Sequence, residues 1–369
     1  MTTVPTQSTS PEVELVPSAD DVAMRLMMAA IGSFDLLALH LGTTLGLYQA
    51  LQDGGPATSA DLAARAGIHE RYAREWLEHQ AVGGYLTADG SPDAAARVYT
   101  LPAATAEVVL DTGSLAYSAP MGRILAGVAA KMPDLVEAYR AGGGVSWEDF
   151  GPAARESQAA MNRPWFEVRL GPALAGVPEV HEVLRRPGAR VADLGSGGGW
   201  SSIALARAYP QATVDGFDVD RPSVDMASRN AQEAGVADRV RFHHVDVANA
   251  DIGEGYDAVF AFECVHDLPA PVEFLATARA ALRPGGLMVV IDEAVQPEFT
   301  APGDEVERLF YGFSLTVCLP DGMSHQPSAG TGTVMRQSTL ESYAREAGFD
   351  GLTVLPIEDF GIWRFYRLS

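Results

Sequence analysis

Residues Val191 to Trp200 read VADLGSGGGW and place an acid and several glycines directly after a run that predicts a buried strand. Glycine has no Cβ, so a bound molecule can approach its backbone closely. A dinucleotide fingerprint would need a glycine where Trp200 stands. The pattern is instead an acid followed by three alternating glycines: Asp193, Gly195, Gly197 and Gly199. This spacing predicts a ligand other than a pyrophosphate.

Two further acids follow at the ends of the next predicted strands, Asp218 in GFDVD and Asp246 in HHVDV. Asp218 can accept hydrogen bonds from two ribose hydroxyls, and Asp246 can accept one from an adenine amine. Val247 then offers its backbone amide and an apolar edge, while Asp193 can meet an ammonium group directly or through water. Ligands bind at the carboxyl ends of the strands in open α/β sheets. These groups match S-adenosylmethionine, which we predict as the ligand.

The elements that must position these acids alternate between strand and helix from residue 190 onward. This rhythm predicts an α/β fold with a doubly wound, mostly parallel sheet. A long segment at 296–335 interrupts the order at the ligand edge, and we expect it to be irregular and lid-like. A helix follows, in which Ser338 and Glu341 have capping-box spacing, and the chain ends in a predicted antiparallel hairpin.

Between residues 45 and 101 the pattern of three short helices and a ribbon is typical of a winged helix, with Thr58 or Ser59 as the N-cap of one helix. Such modules often bind DNA. Here four arginines stand against seven acids, and the whole chain has a formal net charge of −22. This charge disfavours nucleic acid as a partner and favours dimerisation or packing against the other domain.

The ordered set VADLGSGGG, GFDVD, VDV, FAFECVHDL and LRPGG, with the final hairpin, resembles the class I S-adenosylmethionine-dependent methyltransferases. The resemblance covers about half of the chain and implies a seven-stranded Rossmann-like sheet, S-adenosyl-L-methionine as cofactor, and a cofactor contact by Phe262. A Rossmann-like domain that binds another nucleoside is the alternative. The N-terminal half is similar to the all-helical winged-helix dimerisation domains of small-molecule O-methyltransferases, which implies a homodimer.

Within FAFECVHDL, His266 and Asp267 resemble the His-Asp pair of those O-methyltransferases, which implies that His266 is the general base. Glu293 resembles the acid that orients the base, although the adjacent Asp292 is an alternative. Histidine, with a pKa of about 6.5, can take a proton from a phenol or enol at neutral pH. A pocket role without base function, or simple packing, also remains open for His266.

The acceptor pocket is expected between two aromatic-rich regions, residues 147–166 and the segment 296–335. The predicted wall residues are Trp147, Trp165, Phe166, Phe313 and His325. Interdomain packing is the alternative role for these side chains. No metal is predicted, because His243 and His244 are adjacent on a strand and point to opposite faces. We expect Asp220 to be solvated.

The sequence predicts a disordered tail at 1–20, a winged-helix domain at 21–105, a helical linker and substrate wall at 106–189, and a methyltransferase domain at 190–369. The N-terminus has neither a basic start nor an apolar core, so no signal peptide or anchor is predicted. The apolar stretch after it contains Arg25, Asp35 and His40, which predicts buried helices and not a membrane span. Two cysteines indicate a reducing, cytoplasmic location.

The predicted function is methyl transfer to a small aromatic or polyketide-like acceptor at a hydroxyl oxygen. N- or C-methylation is the alternative within the enzyme class. A winged-helix regulator with a cofactor-sensing domain, or a scaffold that binds the cofactor without turnover, are alternatives outside it.

Overall fold

The computed structural model describes residues 17–369. Most of the predicted tail at 1–20 therefore lies outside the described residues, and the first helix already begins at residue 19. The N-terminal domain contains α1 (Ala19–Thr44), α2 (Leu47–Gly54), α3 (Ser59–Ala66), α4 (Glu70–Val82), β1 (Thr87–Ala88), β2 (Tyr99–Thr100) and α5 (Ala103–Leu110). Thr58 caps α3 in a capping box with Asp61, as predicted. The short antiparallel β1–β2 ladder forms the wing, so the domain is not all-helical.

The apolar stretch near the N-terminus forms one helix, and the prediction of buried helices is wrong. Only Ala38 and Gly42 of α1 are buried, and most of its large apolar side chains are exposed. Its carboxyl-terminal half packs on the winged helix, where the Trp76 indole donates to the Ala38 carbonyl at 3.0 Å. By length and composition alone α1 could cross a membrane. Core helices of soluble proteins and signal sequences pass the same test, so this property by itself is weak evidence of a membrane span.

A run of helices connects the two domains: α6 (Pro120–Ala130), α7 (Met132–Ala141), α8 (Trp147–Trp165), a π-helical turn (Phe166–Leu170), α9 (Gly171–Ala175) and α10 (Pro178–Leu184). The helical geometry of α8 breaks at Gly151, whose φ is 66°. Pro164 does not end the helix, because the chain continues from it into the π-helical turn.

The C-terminal domain is a seven-stranded sheet whose strands are β3 (Arg190–Leu194), β4 (Thr213–Asp218), β5 (Val240–His244), β6 (Tyr256–Phe262), β7 (Leu282–Glu293), β8 (Leu352–Val354) and β9 (Trp363–Leu368). Their order is β5-β4-β3-β6-β7-β9-β8. The first five are parallel, and β9 is antiparallel to both neighbours, which confirms the predicted topology. The connecting helices are α11 (Trp200–Ala208), α12 (Arg221–Glu233) and α13 (Pro271–Ala281).

The segment 296–335 is largely helical, contrary to the expectation of an irregular insertion. It contains α14 (Glu305–Phe313), a π-helical turn (Ser314–Cys318) and α15 (Leu319–Ser324). Asp304 caps α14 by accepting from the Glu307 amide at 2.8 Å. The following α16 (Gln337–Glu346) begins after Arg336, so Ser338 lies inside the helix and the predicted capping box is wrong.

Candidate active site

The loop between β3 and α11 carries the alternating glycines. Gly195 has a φ of +72°, and a Cβ there would lie 2.7 Å from the Cys264 sulfur. A Cβ on Gly199 would lie 2.6 Å from the Phe242 ring, so packing excludes a side chain at both positions. Gly197 differs, because no atom lies within 4 Å of the position that its Cβ would take. The open space beside Gly197 is therefore where a ligand can touch the loop.

Asp193 lies beneath this loop and is fully buried. Its Oδ2 accepts hydrogen bonds from the hydroxyls of Ser201 (2.6 Å) and Ser202 (2.5 Å) in the first turn of α11. Its Oδ1 has no hydrogen-bond partner among residues 17–369, which the structure describes. The carboxylate thus fixes the loop to the helix, while its predicted contact with an ammonium group stays a prediction.

Asp218 binds the loop from the neighbouring strand. Its two oxygens accept from the backbone amides of Gly197 at 2.7 Å and of Asp220 at 2.8 Å. Asp220 itself is not solvated, contrary to the expectation, because Arg155 on α8 forms a buried ion pair with it and Ser223 donates to it. No local pattern predicts this pairing, since the partners are 65 residues apart.

The remaining predicted cofactor residues lie along the same edge of the sheet. Asp246 is exposed and accepts from the Ala248 amide at 3.0 Å and the Asn249 side chain at 2.8 Å. Val247 and Phe262 are buried, and their side chains pack in the two separate hydrophobic clusters of the sheet domain. Their contacts with a cofactor stay predictions.

This set of groups fits the cation and the hydroxyls of S-adenosylmethionine better than it fits a phosphate. Burial raises the pKa of both Asp193 and Asp218 to about 6, because ionised carboxylates are poorly solvated there. A bound positive charge would favour their ionised forms, whereas a phosphate would be repelled by them. The free Oδ1 of Asp193 and the open space at Gly197 leave room for such a ligand.

A second cluster surrounds His266, which lies in a 3₁₀ turn after β6 and is 3% exposed. Its Nδ1 is 2.8 Å from Asp292 Oδ1 and 3.1 Å from Glu293 Oε2, both at the end of β7. Its Nε2 is 3.2 Å from Asp267 Oδ1. The structure therefore brings the predicted pair of His266 and Glu293 together, and Asp292, the alternative partner, lies closer still.

The three carboxylates determine the protonation of this cluster. Burial by itself lowers the pKa of His266, but Asp267, Asp292 and Glu293 overcome that effect and raise it well above the ordinary value. Burial raises the pKa of Glu293 to about 7, opposed by the nearby His266. The carboxylates consequently favour the imidazolium form of His266.

Sequence reasoning missed Glu263, the first residue after β6. Its φ of 50° is positive, and its carboxylate accepts from the side-chain amides of Gln158 at 3.2 Å and Asn162 at 3.0 Å, both on α8. Burial and the nearby Glu293 raise its pKa well above the ordinary value. The signal in the sequence was an acid inside the otherwise apolar run FAFECV.

The predicted wall residues occupy three places. Trp147 and Phe313 pack in one cluster beside Cys318, close to the Asp267 side of the His266 ring. Trp165 contacts Phe360 and Trp363, and Phe166 packs edge-on against Phe262 within the core of the sheet. His325 is exposed at the end of α15. The structure thus brings only the first two together near the histidine, and contact of any of the five with an acceptor stays a prediction.

Two family profiles match parts of the chain. A profile described as Methyltransferase domain matches residues 191–286, and one described as Rv2258c-like winged HTH domain matches residues 33–110. The first match runs from β3 into β7 and includes the glycine loop, and the second runs from within α1 to the end of α5.

Curated relatives are similar over longer stretches. The 27-O-demethylrifamycin SV methyltransferase of Amycolatopsis mediterranei (strain S699) is 29% identical over 193 residues, which cover 50% of this chain and 69% of that protein. The N,N-dimethyltransferase OxyT of Streptomyces rimosus is 29% identical over 288 residues, covering 74% of this chain and 79% of that protein.

Solved structures share the fold over nearly the whole chain. The mitomycin 7-O-methyltransferase MmcR superposes with a TM-score of 0.72 at 21% identity, covering 95% of this chain and 99% of that one. Human N-acetylserotonin methyltransferase in complex with SAM gives a TM-score of 0.70 at 19% identity, covering 96% and 99%.

Proposed function

The chain is an S-adenosylmethionine-dependent methyltransferase with an N-terminal winged-helix domain, and from this premise we propose that it methylates a hydroxyl oxygen of a small aromatic or polyketide-like acceptor, with His266 as the general base. The observation that carries the proposal is the buried cluster in which His266 Nδ1 is hydrogen-bonded to Asp292 Oδ1 and lies 3.1 Å from Glu293 Oε2. It lies at the same sheet edge as the glycine loop, because β6 and β7 end there beside β3.

When bound, S-adenosylmethionine supplies an electrophilic methyl group on a positively charged sulfur. The residues that would hold it are the loop at Gly197 with Asp218, then Asp246, and Asp193 from below. Because methyl transfer is a displacement, these residues and the acceptor pocket act chiefly by holding the two reactants in line and excluding water.

The role of His266 is to take the proton of the acceptor hydroxyl. Asp292 and Glu293 face Nδ1 and hold its proton, so Nε2 is the atom that can accept. Nε2 must be unprotonated to do so, whereas the surrounding carboxylates favour the imidazolium. A cation bound beside the cluster disfavours a second positive charge, and we expect it to lower the pKa of His266 towards the range of a base.

The acceptor class is supported by the relatives whose names specify O-methylation of rifamycin- and mitomycin-type molecules. The test is a screen of phenolic, enolic and amine-bearing metabolites with methyl-labelled S-adenosylmethionine, followed by NMR of the products. The proposal predicts methoxy carbon signals. Products that carry only N-methyl or C-methyl signals would contradict it.

N-methylation is the second candidate. It is favoured by the OxyT relative, whose name specifies an N,N-dimethyltransferase, and by the acidic lining formed by Glu263, Asp267 and Glu293. A protonated amine would bind well among such groups, but it must lose its proton before it can attack the methyl carbon. The same screen distinguishes the two candidates.

We also propose that α1 pairs with a second copy of the chain. Its exposed apolar side chains include Met24, Met27, Met28, Ile31, Phe34 and Leu37. An exposed apolar surface of this kind usually marks a site where a partner binds and buries it. Four charged residues on α1, among them Arg25 and Asp35, make lipid a costly cover, whereas a second protein chain can pair or solvate them.

Nucleic acid is disfavoured as a partner of the winged helix. On α4, Arg71 pairs with Glu75 and Arg74 pairs with Glu70, so both arginines already face a carboxylate. The regulator alternative requires specific DNA binding, which a gel-shift experiment at low salt would detect. We propose a cytoplasmic location, which fits the two free cysteines.

A further inference from the structure

We propose that Glu263 recognises the positive charge of the methyl donor, so that the site binds S-adenosylmethionine in preference to the neutral product S-adenosylhomocysteine. The inference rests on the cofactor and not on the acceptor or on the role of His266 as base. It is therefore testable by binding measurements that involve no acceptor.

The position of Glu263 follows from the sheet. Strand β6 lies between β3, which leads into the glycine loop, and β7, which ends in Asp292 and Glu293. Glu263 is the first residue beyond β6. It thus stands between the loop that would hold the donor and the cluster around His266.

The backbone at Glu263 is strained. Among the described residues it is the single non-glycine residue with a positive φ, at 50°. Such a conformation costs free energy and persists where the surroundings fix it, often at functional sites. Its amide donates to the Ile291 carbonyl on β7 at 2.7 Å, which holds the backbone in place. The geometry keeps this side chain aimed at α8.

Two amides hold the carboxylate itself. Gln158 and Asn162 lie one turn apart on α8, and each donates to one oxygen of Glu263. Hydrogen bonds from donors favour the ionised form of a carboxylate. The same turn of α8 covers the glycine loop, since a Cβ on Gly198 would lie 2.7 Å from Ala159. Glu263 is therefore fixed beside the donor site and not free to turn away.

Among the described residues, acids outnumber cations around Glu263. The groups with the largest electrostatic effect on it are Glu293, His266 and Asp292, which are two further acids and one imidazole. Arg155, the arginine on the same face of α8, is already paired with Asp220. Burial among further acids raises the pKa of Glu263, so a cation that binds beside it stabilises its ionised form. The sulfonium of the donor provides one, and the thioether of the product does not.

The experiment measures dissociation constants by calorimetry for S-adenosylmethionine, S-adenosylhomocysteine and sinefungin, an analogue that carries an ammonium group in place of the sulfonium. The wild type should bind both cations more tightly than the neutral product. In Glu263→Gln this preference should fall at least about tenfold, the loss expected for one charge about 12 Å away at an effective dielectric constant of about 20 and exceeded at shorter distances. The affinity for S-adenosylhomocysteine should change by less than about threefold.

Glutamine keeps the shape of the side chain, and the amides of Gln158 and Asn162 can rotate to present their oxygens to it. The matched control is Glu307→Gln, a buried acid paired with Arg336 in the insertion, which should leave the preference unchanged. Should Glu263→Gln fail to fold, Gln158→Lys places a cation beside the intact Glu263 and should also reduce the preference.

Equal loss of affinity for all three ligands, or an unchanged preference in both variants, would overturn the inference. Neither result affects the proposed base, because no methyl group is transferred. Conversely, a screen that yields no O-methylated product would not change the expected affinity ratios of S-adenosylmethionine, sinefungin and S-adenosylhomocysteine.

Discussion

At the scale of single residues, the active site is governed by an excess of buried acids. His266 contacts Asp267, Asp292 and Glu293, so its proton is shared among groups that all favour the charged imidazole. The sequence identified His266 and Glu293 by resemblance. It did not reveal the order of contact, because Nδ1 lies nearer to Asp292, a residue that precedes Glu293 on the same strand.

The pH dependence of the reaction follows from this arrangement. Because carboxylates raise the pKa of His266 and the base must be neutral, activity should rise with pH through that raised pKa. Asp292→Asn removes one carboxylate, lowers the pKa of His266, and should move the acid limb of the kcat/KM profile to lower pH. An acid limb that stays in place would show that His266 does not control it.

The raised pKa of His266 also makes the stability of the folded protein depend on pH in a defined direction. A histidine whose pKa is raised on folding stabilises the protein fully below its unfolded pKa, and this contribution is lost as pH rises through the folded pKa. We therefore expect Asp292→Asn to weaken the pH dependence of unfolding above about pH 6.5, measured by denaturant titration.

At the scale of elements, the sheet was predictable and the helical segments around it were less so. Strands β3, β6 and the second half of β7 are mainly apolar and buried, and helices alternate with them along the chain, so the sheet could be read from the sequence. The insertion was expected to be irregular, yet α14 and α15 form because long-range pairs such as Glu307 with Arg336 hold them. Such pairs, like Arg155 with Asp220, leave no periodic signal.

Gly144, the last of three consecutive glycines at residues 142–144, packs against α15. A Cβ on Gly144 would lie 2.0 Å from the Pro320 carbonyl oxygen, so α15 approaches the backbone there. Gly144→Ala should lower the free energy of unfolding by about 1–3 kcal/mol through overpacking. Gly143→Ala is the control, since no atom lies within 4 Å of its Cβ position. Equal thermal shifts in the two variants would refute this packing.

At the scale of the whole molecule, α1 is the element whose environment the sequence reasoning misjudged. Its apolar residues were assigned to the core, but within one chain only its carboxyl-terminal half meets the winged helix. A single sequence does not distinguish an apolar surface buried inside a chain from one buried between chains. The proposed homodimer supplies the cover that the single chain lacks.

The dimer can be tested with charge on α1. We expect the wild type to sediment as a dimer and the double variant Met27→Glu, Ile31→Glu to sediment as a folded monomer, because both side chains are exposed in the single chain. Tyr72→Glu, at an exposed position on α4, should remain dimeric. A monomeric wild type, or a dimeric double variant, would contradict the pairing.

The role of His266 is tested most directly by the single-turnover rate of methyl transfer to a hydroxyl acceptor in His266→Gln. A general base contributes about 10²–10⁴-fold, so the rate should fall by that factor. S-adenosylhomocysteine should still bind to the variant, because the glycine loop and Asp218 are untouched. A variant that transfers the methyl group at the wild-type rate would show that another group, or none, removes the proton.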